Sequence, residues 1–117
     1  MMDAEDSVAR HISPLFGGRV YQEKTPSKMP ELPFAIIRLT RQEDLEVLGG
    51  ATSTEIVRLQ VDVYDKDTTS LKTSARRVRD SLRLYPDTTL LGAFNLPEPN
   101  ENLYRRVHDY RVIHYAT

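Results

Sequence analysis

Residues 55–85 read EIVRLQVDVYDKDTTSLKTSARRVRDSLRLY, and the remaining elements are arranged around them. From Val57 to Val63 the apolar residues fall on every second position, which is typical of a strand with one buried face. After Asp65 the apolar spacing becomes helical, through Leu71, Ala75, Val78, Leu82 and Tyr85. These side chains form one stripe along a helix that Pro86 ends. We expect this strand and helix to pack together as the scaffold of the fold.

The composition narrows the class of protein. The chain has 117 residues, which predicts one domain spanning residues 1–117. Its 16 basic and 17 acidic residues give a net charge of −1, so no overall charge draws it to DNA or to an anionic membrane. It has no cysteine, which excludes disulfides, thiolate zinc sites and a cysteine nucleophile.

The N-terminus and the apolar runs bear on where the protein resides. The sequence begins MMDAED, which is acidic where a signal peptide would be basic and then apolar. The longest apolar runs fall far short of the roughly 18 residues that a membrane-spanning helix requires. We therefore expect an intracellular, soluble protein with no membrane partner.

The rest of the chain predicts further elements around the scaffold. They are a short helix over Asp3–Ile12 and strands within residues 19–21, 34–40 and 103–115. Three prolines make residues 22–33 an extended connector. Residues 41–54 are interpreted as the exposed, mobile tip of a hairpin whose second strand begins at Glu55. Residues 87–102 predict a short strand or a turn, followed by an irregular loop.

These elements predict an α+β domain. We expect an antiparallel sheet of about four strands, two helices packed on one of its faces, and a long projecting hairpin. The last strand has apolar and aromatic residues at both parities, such as Val107 and Tyr110. That mixture predicts either a strand covered on both faces or a strand with a bulge.

The three histidines give no pattern for a metal site. His108 and His114 are six residues apart, which is about 20 Å in a strand, so they cannot bind the same ion. His11 has no evident ligand partner on its short helix. Serine, histidine and acid show no triad spacing, and neither glycine pair belongs to a phosphate-binding motif. We predict no catalytic residue, metal or cofactor.

Asp62, Asp65 and Asp67 invite comparison with a calcium-binding loop. An EF-hand loop that begins at Asp65 would need glycine at its sixth position and glutamate at its twelfth. Ser70 and Arg76 occupy those positions instead. We expect Asp67 or Thr68 to cap the second helix.

The strongest charge feature is a group of arginines on the second helix, at positions Arg76, Arg77, Arg79 and Arg83. A basic helix can follow nucleic-acid phosphates. However, Asp80 interrupts the group and no aromatic stacking residues are interleaved with it. Two interpretations remain open: a solvated face that forms salt bridges between subunits, or a nucleic-acid contact.

The order of the elements, with several short strings, resembles a known family. The strings are GRVY at Gly18–Tyr21, LPF at Leu32–Phe34, VRLQVDVY at Val57–Tyr64 and YRRVHDYRV at Tyr104–Val112. With the proline-rich connector and the arginine-rich helix, this layout resembles the tail-completion proteins of long-tailed bacteriophages, also called tail terminators or tail-to-head joining proteins. The resemblance extends over nearly the whole chain.

The resemblance implies a structural virion protein of the tail or neck, assembled in the host cytoplasm. It implies a ring, typically a hexamer, that caps the tail tube and joins it to the head-side connector. The implied partners are other copies of the chain, the tail tube protein and the head-completion protein, while DNA passes through the lumen without specific binding. Another phage neck or tail protein, and a small nucleic-acid-binding protein that uses the Arg76–Arg83 helix, are the alternatives.

A ring requires two different, complementary surfaces on each subunit. Arginines of one subunit would face acids of the next. The candidate contact residues are Arg38, Arg41, Arg76 and Arg83 on one side and Glu43, Asp44, Glu46 and Asp62 on the other.

Overall fold

The computed structural model describes residues 3–47, 50–98 and 102–115, with side chains described for 3–42, 54–98 and 102–114. The elements are, in chain order, α1 (Ala4–Ile12), β1 (Val20–Gln22), β2 (Phe34–Val47), β3 (Gly50–Asp65), α2 (Thr68–Arg83), β4 (Thr88–Leu96) and β5 (Tyr104–Tyr115). A short 3-10 helix, Ser13–Phe16, directly follows α1. The predicted α+β class is confirmed.

The five strands form one sheet in the order β1-β2-β3-β5-β4. The pairs β2–β3, β3–β5 and β5–β4 are antiparallel, whereas β1 is parallel to β2. The expected sheet of about four antiparallel strands is therefore corrected to a mixed sheet of five. The extended connector explains the parallel pair, because it returns the chain to the end of the sheet where β1 started.

The predicted packing between strand and helix is the centre of the core. The odd-numbered residues of β3 from Val57 to Val63 are buried, as are Leu71, Val78 and Leu82 of α2. They belong to one apolar cluster that also contains Val8 and Ile12 of α1. Both helices thus bury their apolar stripes against the same side chains of β3.

The even-numbered residues of β3 point to the other face of the sheet, which we call the Asp62 face. Phe34, Ile36 and Tyr64 form a second buried cluster there, with Leu32 and Leu103 packed against it. Phe34 and Tyr64 stack with their ring centroids 4.6 Å apart. The connector and the approach to β5 therefore cover this end of the Asp62 face.

Both helices begin at an aspartate. Asp3 accepts a hydrogen bond from the Asp6 amide, and Asp67 accepts one from the Ser70 amide at 2.7 Å. The predicted cap at Asp67 is confirmed, and these bonds lower the pKa of its carboxyl. Gly17 has a φ of 58° at the end of the 3-10 helix, a left-handed conformation that glycine adopts readily.

Two strand boundaries differ from the sequence prediction. β2 continues past Thr40 to Val47, and β3 starts at Gly50 rather than Glu55. These extensions pair with each other along the same ladder. Leu48 and Gly49, part of the predicted tip, lie outside the described residues.

β4 is nine residues long, where the sequence predicted only a short strand or a turn. Its alternation is hidden by a bulge between Leu90 and Gly92, and most of its residues are exposed on both faces. β5 lies between β3 and β4 and pairs with β3 without a register shift. Val107 and His108 point to opposite faces and both are buried, so β5 is covered on both sides.

Candidate functional site

Asp62 is the centre of an ion-pair cluster inside one chain. Its carboxylate is fully buried and accepts hydrogen bonds from Arg38, from Arg105 Nε at 3.0 Å and from Gln60 Nε2 at 2.9 Å. The register explains the cluster, because Arg38 is opposite Gln60 on β3 and Arg105 enters from the neighbouring β5. The two arginines hold β2 and β5 to the central strand.

Arg105 contacts two carboxylates, Asp62 and Glu98, and the ring of Tyr64. Burial lowers the pKa of its guanidinium, but the charge of Asp62 and its hydrogen bonds more than offset this, and the net change is upward. Glu98 lies 3.5 Å away and the Tyr64 ring lies 5.7 Å beneath the guanidinium. Arg105 was not among the sequence-predicted contact residues, because the mixed parity of the last strand gave no alternation that would place it.

Among the sequence-predicted contact residues whose side chains the structure describes, Arg38 and Asp62 come together. Arg38 and Asp62 pair with each other within the chain, and a fully buried Asp62 has no surface for a neighbouring subunit. Arg76 and Arg83 are exposed on α2, and Arg83 lies 3.7 Å from Asp80. Arg41 is exposed on β2. The side chains of three predicted acids, Glu43, Asp44 and Glu46, lie outside the described residues.

The three aspartates compared with a calcium loop each have a separate structural role. Asp62 pairs with arginines, and Asp67 caps α2. Asp65 is buried and accepts a hydrogen bond from Ser74 Oγ at 2.8 Å. Within the described ranges, no three His, Asp or Glu residues form a group that could hold a metal ion.

β4 is the surface feature that sequence reasoning missed. It forms one edge of the sheet and has no charged residue between Thr88 and Leu96. Phe94 is 52% exposed and Leu91 is 46% exposed. Nine residues without a charge were a usable signal for an exposed edge strand. The sequence predicted a short strand or a turn here and did not use that signal.

His108 is a fully buried residue of β5, opposite Val61 on the face of the sheet that packs against the helices. It should make the free energy of unfolding depend on pH. Burial lowers the pKa of its imidazole to about 4, and the charges of Arg106 and Arg79 add to this. The unfolded value is near 6.5. Because the unfolded state then binds the proton first, the contribution of His108 to the free energy of unfolding should fall as the pH drops from about 6.5 to about 4, by at most about 1.4 kcal/mol per pH unit.

Chemical denaturation across this pH range measures that dependence. His108→Gln should flatten it, whereas His11→Gln, which changes an exposed histidine, should leave it unchanged. Equal slopes for the parent chain and His108→Gln would show that His108 does not carry the effect.

The fold and these contacts define a small α+β domain whose buried charges hold its own sheet together. The family model for tail completion protein gp17 matches residues 9–115. The chain belongs to this family and is a structural protein of the phage tail, located in the virion. No curated protein matches it.

A solved structure shows the same fold. A chain from the virion of a native gene transfer agent particle superposes with a TM-score of 0.52 at 19% sequence identity. The match covers 87% of this chain and 82% of that one. Among the described residues, no helix combines the length and apolar character needed to cross a membrane.

Proposed function

We propose that the protein is a ring-forming tail-completion subunit, typically a hexamer, with a non-catalytic role. The ring caps the tail tube, stops its polymerisation and joins it to the head-completion protein, and DNA passes through the lumen. Membership of the tail completion family supports this proposal at the level of the tail. The geometry of the sheet edges supports the ring.

The observation that carries the ring is the uncharged, exposed edge strand β4. Edges are usually protected by charges, prolines or bulges, and β4 has a bulge between Leu90 and Gly92 but no charge and no proline. The opposite edge is different, because the three-residue β1 pairs with β2 only from Ala35 to Ile37. Two unlike edges on opposite sides of a sheet suit a heterologous contact, which repeats from copy to copy and closes into a ring.

Charged side chains supplement this contact in the proposal. The basic side of the contact still consists of Arg41, Arg76 and Arg83. Its acidic side consists of Glu43, Asp44 and Glu46. Asp62 and Arg38 are omitted, because they are already paired within the chain.

Light scattering and negative-stain electron microscopy of the purified protein test the ring. We expect annular particles whose mass is a multiple of 13.4 kDa. Phe94→Asp should abolish them, since it places a charge on the proposed contact, and Arg41→Glu should weaken them. Leu84→Asp is the matched control, because Leu84 is an exposed apolar residue outside β4.

A chain that stays monomeric at high concentration, alone and with tail-tube subunits, would refute the proposal. Rings that persist in Phe94→Asp would remove β4 from the contact.

A further inference from the structure

Three arginines stand opposite one another across three neighbouring strands. Arg41 of β2 is in register with Arg58 of β3, and Arg58 is in register with Arg111 of β5. Neighbouring strands lie about 4.8 Å apart, so the three backbone positions span about 10 Å in a line. We call these residues the arginine row.

The arginine row is on the Asp62 face, at a distance from the buried cluster there. Arg58 has the same parity as Asp62 in β3, and its two partners line a shallow cleft of about 110 Å³ with it. Leu32 packs at the other end of this face, against the cluster of Phe34 and Tyr64. Since α1 and α2 pack on the opposite face, the row is accessible from solvent.

Like charges directly opposite one another on a sheet destabilise it, so the row needs a compensating anion. Asp109 supplies one, because its carboxylate lies 2.6 Å from Arg58 Nη2. Arg111 is exposed and makes no ion pair with any side chain that the structure describes. Thr89, opposite Arg111 on β4, adds a hydroxyl group at the outer end of the row.

We propose that the arginine row binds the phosphodiester backbone of nucleic acid without reading its sequence. A guanidinium offers a planar fork of donors that matches phosphate oxygens. Cations in a line fit an extended polyanion better than they fit a single carboxylate. The row contains no aromatic side chain, so bases are not read by stacking. The proposal goes beyond the ring and assigns nucleic-acid contact to the sheet, not to α2.

Fluorescence anisotropy with a mixed-sequence DNA duplex tests this on the full chain, between about 50 and 200 mM salt. Each phosphate contact contributes about 0.9 to the slope of log K against log salt. Arg111→Gln should therefore lower the slope by about 1, and Arg111→Lys should retain it. The control variant Arg77→Gln changes an exposed arginine of α2 that lies outside the proposed contact between subunits, so it should also retain the slope.

Three results would overturn the proposal. They are a parent chain with no salt-dependent DNA binding, an Arg111→Gln variant that binds like the parent, and a loss of binding confined to Arg77→Gln. Sizing chromatography and thermal unfolding of each variant show whether it remains folded and assembled. If the parent chain never forms rings but its DNA binding is weakened by Arg111→Gln, the ring is refuted and the arginine row is not.

Discussion

Asp62→Ala is expected to lower the free energy of unfolding by about 3 kcal/mol. The Asp62 carboxylate is fully buried, and both Arg38 and Arg105 donate to it from neighbouring strands. Its removal leaves both arginines with reduced hydration and without their shared counter-charge, although Glu98 remains 3.5 Å from Arg105. It also removes the ion pairs that join β3 to β2 and β5. Because both arginines retain some exposure, we place the loss at the lower end of the range for a broken buried ion pair.

Denaturant unfolding of Asp62→Ala and Asp80→Ala separates a buried from an exposed aspartate. Asp80 also lies near an arginine, Arg83, but both side chains are mostly exposed. An exposed pair of this kind contributes from about 0 to 1 kcal/mol. If both variants lost equally little stability, the Asp62 cluster would not hold the sheet together.

The sequence predicted the elements whose residues repeat with a clear period. The alternation from Val57 to Val63 placed β3, and the stripe from Leu71 to Leu82 placed α2, because burial of one face imposes that period. Elements without a buried face escaped prediction. The bulged, exposed β4 is the example.

The contacts of the candidate site depend on the register between neighbouring strands. The spacing of residues within one segment does not reveal that register. Asp62 meets Arg38 and Arg105 across two different strand pairs, so a sequence reader sees three unrelated charges. The same limit applies to the arginine row, whose residues Arg41, Arg58 and Arg111 are far apart in the chain. A bulge between Leu39 and Arg41 also changes which residue of β2 faces Arg58. Only the folded sheet shows these neighbours.

Leu82→Ala is expected to cost between about 2 and 5 kcal/mol of unfolding free energy. Leu82 is fully buried in the last turn of α2, in the cluster with Val8 and Leu59. Truncation to alanine removes apolar surface from the core and leaves a cavity that the sheet and α1 cannot collapse to fill. Leu84, two residues later, is 82% exposed and provides the matched control.

Leu84→Ala changes the same side chain by the same atoms, and surface substitutions of this kind usually remain within about 0.5 kcal/mol. Urea unfolding of the two variants therefore tests which side of α2 faces the core. A rotation of the helix by two residues would move Leu84 toward the core and reverse the order of the two losses. Such a reversal would also move the exposed Arg76 and Arg83, and with them the basic side of the proposed contact between subunits.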